Sequence, residues 1–123
     1  MQLSPDESIL YLVSPVYATS GSLAIVRFRN GAVNYVPGVM DVFVIESGPH
    51  AGDLIYMQRQ DPTEPGLGHP YPWVHARADG TPIRVLAEEP LRLVGIPHPD
   101  APKLKAYLQR IGGTIIINGR PFP

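Results

Sequence analysis

The sequence predicts a β-rich domain, all-β or α+β, made of short strands followed by one C-terminal helix. Three observations carry that expectation. The 15 prolines and 12 glycines are spread along all 123 residues, so they punctuate many short elements instead of forming one low-complexity block. Runs of β-branched and aromatic residues recur between these breaks, and two hairpin candidates centre on Asn30-Gly31 and Asp79-Gly80. Convincing helical spacing occurs once, where Leu104, Tyr107, Leu108 and Ile111 fall at i, i+3, i+4, i+7. With 44% hydrophobic and 17% charged residues, the chain has enough apolar material for one domain, 1–123, with a core of its own.

Ser4-Pro5-Asp6-Glu7 has the form of a helix capping box, and Ile9 to Val13 reads as a strand, with a short helix as the competing reading. Leu23 to Val36 reads as a hairpin about a two-residue type I′ turn at Asn30-Gly31. That register pairs Val26 with Tyr35 and Phe28 with Val33 on the core face, and turns Arg27 and Arg29 to water. Val39 to Glu46 is apolar on both faces, which predicts a strand covered on both sides. The turn 47–52 leads to a second strand, 53–60, whose end is polar. Residues 61–72 hold four prolines and two glycines and read as a loop. Trp73 to Ala78 and Thr81 to Leu86 flank Asp79-Gly80, a second type I′ candidate, with Val74 opposite Val85, Ala76 opposite Ile83 and His75 opposite Arg84. Leu91 to Ile96 is a further strand candidate. The helix is expected over 100–111, capped by Asp100 and stopped at Gly112-Gly113, with a short strand at 114–118 and a tail after it.

Bulk chemistry narrows the function classes. A formal net charge of -1 gives no bulk positive field for nucleic acid, and the absence of cysteine removes disulfides, thiolate metal sites and cysteine nucleophiles. No run approaches the ~20 apolar residues of a membrane span. The acidic N-terminal stretch lacks the pattern of a secretory signal, so a soluble, cytoplasmic protein without membrane contact is expected.

The stretch Asp41-Val42-Phe43-Val44-Ile45-Glu46-Ser47-Gly48-Pro49-His50-Ala51-Gly52 resembles the KOW motif, a strand followed by Gly-Pro-x-x-Gly and a second strand. Tyr71-Pro72-Trp73-Val74, Asp79-Gly80 and Leu91-Arg92-Leu93-Val94 resemble the remaining strands of a Src-homology-type (SH3-like) small barrel. The resemblance implies a five-stranded barrel core over 39–94 that binds nucleic acid or the ribosomal and transcription machinery. The sequence departs from the family at Asp53 and at Leu54-Ile55-Tyr56-Met57, which stand where a glycine-valine step is usual.

Candidate chemistry is sparse. His50, His69, His75 and His98 form no HxH or HxxxH pair, and a metal site needs the fold to gather them with Asp53 or Asp61. There is no Gly-x-Ser-x-Gly elbow and no glycine-rich phosphate loop opening a helix. The sequence therefore assigns no catalytic residue, no metal and no cofactor. It favours a non-catalytic module that binds a protein partner or itself through Tyr71, Trp73, His75, Arg77 and Arg84, where aromatics stand beside guanidinium groups. The alternative is KOW-like nucleic-acid binding, which adds Arg27, Arg29 and Arg59. A second alternative is an enzyme whose histidine and carboxylate meet only in three dimensions.

Overall fold

The computed structural model describes residues 2–13, 22–58, 71–89, 102–117 and 119–122. Strands β1 (Gln2–Leu3), β2 (Ile9–Val13), β3 (Ser22–Arg27) and β4 (Val33–Pro37) form one antiparallel sheet in chain order. Strands β5 (Val39–Val44), β6 (Leu54–Gln58), β7 (Tyr71–Ala76) and β8 (Pro82–Glu89) form a second, also in chain order. Helix α1 (Pro102–Ile111) follows, then a small pair, β9 (Ile116–Ile117) and β10 (Arg120–Pro121).

The second sheet is the middle layer. On one side, Val42, Val44, Leu54, Tyr56, Val74 and Ala76 pack with Ile9, Tyr11, Leu23 and Ile25 of the first sheet. On the other, Phe43, Ile45, Ile55, Met57 and Trp73 pack with Leu104, Tyr107 and Leu108 of α1 and with Ile115. Both faces are covered, as the doubly apolar Val39 to Glu46 run requires. Each large side chain taken fully out of water contributes roughly 1.5–3 kcal/mol. The helix stripe read from the sequence is therefore buried within the chain. Its end is a Schellman cap: Gly113 N–H donates to Leu108 C=O at 3.0 Å and Gly112 N–H to Gln109 C=O at 3.3 Å, with Gly112 at φ +70.

Several expectations are corrected. The barrel closure expected over 39–94 is not seen among the described residues: β5 to β8 make an open sheet, and the strand expected at 91–94 lies outside those residues. Neither hairpin is a two-residue type I′ turn. The first closes through Gly31 N–H to Arg27 C=O, the second through Gly80 N–H to Arg77 C=O, and in each only the glycine has positive φ. These are longer loops with a terminal left-handed glycine. The first shifts the register, so Val26 pairs with Val33 and Ala24 with Tyr35. Leu23, Ile25 and Val36 face the core, while Val33, Tyr35 and Phe28 are exposed. In the second, a bulge puts Ala76 opposite Pro82, though Val74 with Val85 and His75 with Arg84 stand as expected.

A bulge between Val39 and Asp41 returns Val39 to the side of Val42 and Val44. At the N-terminus, Ser4 Oγ accepts from the N–H groups of Ser8 and Ile9 at 3.1 Å each, and Glu7 has φ 60. The capping box thus closes a turn before β2 and starts no helix. Strand β7 starts and ends two residues earlier than expected, taking Tyr71 and Pro72 out of the expected loop, β8 runs on to Glu89 with Pro72 opposite Glu88 at a bulge, and the tail supplies β10.

Candidate functional site

The β5–β6 connection is built by backbone. Gly52 N–H donates to Ile45 C=O at 2.8 Å and Ile45 N–H to Asp53 C=O at 2.9 Å, with Gly48 at φ +86 and Gly52 at φ +94. Within it, Asp53 N–H donates to His50 C=O at 3.0 Å. That single turn brings the two side chains together, His50 Nδ1 lying 3.2 Å from Asp53 Oδ2.

Asp53 enters β6 on the side of Ile55, and Ile55 is paired with His75 of β7. His75 Nε2 therefore reaches the same oxygen, Asp53 Oδ2, at 2.8 Å. From above, α1 supplies Tyr107, whose hydroxyl lies 2.7 Å from His75 Nδ1. The His50 and His75 rings meet edge-on with centroids 5.0 Å apart, and those of His75 and Tyr107 are 5.7 Å apart. Solvent access is graded: the His75, Asp53 and His50 side chains are 1%, 22% and 42% exposed.

With both imidazoles neutral, one proton arrangement satisfies every contact. Tyr107 O–H donates to His75 Nδ1, His75 Nε2–H and His50 Nδ1–H both donate to Asp53 Oδ2, and His50 Nε2 carries no proton. Burial pushes the Tyr107 phenol up from its ordinary range, partly offset by the Arg84 and Arg110 guanidinium groups, so it keeps its proton and donates. The guanidinium carbons of Arg84 and Arg110 lie 5.8 Å and 5.5 Å from the Tyr107 ring centroid. The donor set also suits a cation: one ligand atom from each of His50, Asp53 and His75 lies within 4.8 Å of the others.

The residues expected to bind a partner fare differently. Trp73 is 3% exposed, packed against Phe43 with ring centroids 6.4 Å apart, and His75 is buried, because α1 covers the face expected to meet solvent. Arg77 and Arg84 are exposed. Tyr71 opens β7, opposite Glu89. Loop 61–70, His69, His98, Asp61 and Arg59 lie outside the described residues. The structure thus joins His75 and Arg84, by way of Tyr107, to His50 and Asp53, which the expected binding face did not include. The sequence marks Tyr107 only as part of the helix stripe, and Arg110 lies outside the expected binding face. The i, i+3 spacing of His50 and Asp53, on either side of Gly52, was the one local signal for the pair.

Comparison of the chain with protein-family models, curated proteins and solved structures returned no match. Among the described residues no helix is long and apolar enough to cross a membrane.

Proposed function

We propose that His50, Asp53 and His75 form a mononuclear site for a divalent transition metal of the zinc type, and that the protein is a metal-dependent hydrolase. The observation that carries this is the convergence of two imidazole nitrogens on one carboxylate oxygen, at 3.2 Å and 2.8 Å, in a corner closed at His75 and open at His50. Tetrahedral zinc ligands at ~2.0–2.1 Å from the metal sit ~3.3–3.5 Å apart, so each imidazole needs to part only slightly from the carboxylate oxygen, and the three ligand atoms already lie within 4.8 Å of one another. Each ring needs only a change of tautomer. His75 then donates Nδ1–H to Tyr107, the kind of outer hydrogen bond that fixes a ligand imidazole. Three protein ligands leave a position for water, and a bound metal supplies Lewis acidity and lowers the pKa of that water to about 7.

The test is direct. Purified protein is expected to bind one zinc per chain and to give a four-coordinate cobalt(II) absorption spectrum, and His50→Gln and Asp53→Asn should each weaken both. Both residues are partly exposed, so these variants should stay folded. Stoichiometric binding of no metal by the folded wild type would sink the reading.

A separate observation favours a second reading, self-association. The outer face of the first sheet carries Leu3, Leu10, Leu12, Val26, Val33 and Tyr35 with no charge among them, and Leu3, Val33 and Tyr35 are exposed. An uncharged face of this kind fits a second copy of itself without like-charge repulsion. Sedimentation should show a dimer that Val33→Asp dissociates, and a wild-type monomer at high concentration removes this reading.

A further inference from the structure

The cluster is flanked by positive charge that the metal reading leaves unexplained. Arg84 projects from β8 opposite His75, and Arg110 stands one helical turn beyond Tyr107. Both guanidinium groups are held near the Tyr107 ring, whose hydroxyl meets His75. Among the described residues neither has a carboxylate within 4.0 Å, so both forks keep their N–H donors for a ligand. Two guanidinium groups beside one tyrosine raise the local positive potential, which favours an anionic ligand there. Of the charged side chains that act on Tyr107, two are arginines and one is Asp53. Guanidinium groups bind oxyanions bidentately, and two of them suit a group with at least three oxygens better than a carboxylate with two.

We infer that Arg84 and Arg110 bind the phosphoryl group of the substrate, so that the site acts on small phosphate monoesters. The inference deepens the hydrolase reading and rests on it for the chemistry, while the anion contact itself needs no metal. In the reaction, the water oxygen bonds to phosphorus as the ester P–O bond breaks. One water proton passes to the leaving alcohol and the other stays on the inorganic phosphate. Tyr107 links the two halves of the site, ordering both arginines along its ring and His75 through its hydroxyl.

The test uses inorganic phosphate as the probe, titrated by calorimetry into metal-free full-length protein, with zinc binding measured separately. The wild type is expected to bind phosphate, and sulfate to compete, while acetate does not. The exposed double variant Arg84→Gln/Arg110→Gln should keep its thermal midpoint and its zinc stoichiometry. It should lose phosphate affinity by about tenfold per guanidinium. Zinc binding without phosphate binding in the wild type overturns the inference and leaves the metal reading standing. Unchanged phosphate affinity in the double variant, or equal competition by acetate, also overturns it. Arginine-dependent phosphate binding without zinc binding supports the anion site and defeats the metal reading alone.

Discussion

The β5–β6 hairpin carries an aspartate at each end of its helix-facing side, and the two ends have opposite chemistry. At the turn, Asp53 Oδ2 is met by two imidazoles, one buried and one half exposed. At the bulge, Asp41 sits opposite Met57, and among the described residues it accepts only from the neighbouring Val42 N–H, at 2.9 Å. Its Oδ2 has no partner among the described residues. Burial pushes the Asp41 carboxyl up to about 6. Partial burial alone therefore does not make a site. A loop that presents His50 and a strand pairing that presents His75 turn one carboxylate into a hub, while burial at the other works against its charge.

That contrast is first strained by loosening the helix layer packed on this side of the hairpin. Leu108→Ala should cost about 2–5 kcal/mol in denaturant unfolding, because the side chain is 3% exposed in the helix–sheet core. Zinc affinity should fall with it, since Tyr107 is the neighbouring residue on α1. Loss of stability without loss of zinc would mean that the turn end holds its geometry without the helix.

Gly48→Ala attacks the turn end alone and ranks next. A β-carbon at φ +86 costs about 1–2 kcal/mol, and here it would also overlap the carbonyl oxygen of Gly112 at the helix stop. Together these should approach about 2–4 kcal/mol and displace the loop that carries His50 and Asp53. Gly52→Ala is the control: its φ is +94 but nothing lies within 4 Å of the added carbon, so only the backbone cost of about 1–2 kcal/mol is expected. Equal effects from the two would show that the contact with Gly112 does not hold the loop.

These residues also mark where the sequence stops being readable. Leu104, Tyr107, Leu108 and Ile111 announced the helix because a 3.6-residue period survives in isolation. The doubly apolar β5 announced a central sheet for a similar reason. The hairpin at Asn30-Gly31 was legible as a turn but not in register, because Leu23, Ile25 and Val36 compete with Val26, Val33 and Tyr35 for the core. Packing against the second sheet decides between them, and no local signal reports it. At the site, His50 and Asp53 are three residues apart and could be paired from the turn. His75 reaches Asp53 only through the β6–β7 ladder, and Tyr107 only through the packing of a helix 32 residues further along the chain.

Tyr107→Phe should have a smaller effect on stability, about 1–3 kcal/mol, by leaving His75 Nδ1 buried without its partner. If the hydroxyl orients a metal-binding imidazole, zinc affinity should also drop ~10–100-fold. Tyr56→Phe is the matched control on the sheet–sheet side, where the hydroxyl donates to Gly80 C=O at 3.2 Å. It should cost about 0.5–1.5 kcal/mol and leave zinc binding unchanged. A Tyr107→Phe variant less stable but with wild-type zinc affinity would make the phenol a structural group only.

The bulge end should give the smallest change and the opposite sign. The Asp41 carboxyl titrates at about 6 in the folded chain against an ordinary 3.8, so between those values the folded state holds a proton that the unfolded state has released. Stability from this group is highest below about pH 4, falls as pH rises through the window, and is lowest above about pH 6. Asp41→Asn removes the charge and should flatten that fall, raising stability near neutral pH by about 1 kcal/mol, since the added amide still needs a partner. Denaturant midpoints measured on both sides of the window decide it, and a variant that keeps the wild-type pH slope assigns the slope to another group. Zinc affinity should not move, because no contact joins Asp41 to the turn. If it does move, the two ends are coupled through the sheet, and the partnered and unpartnered carboxylates cannot be treated as independent.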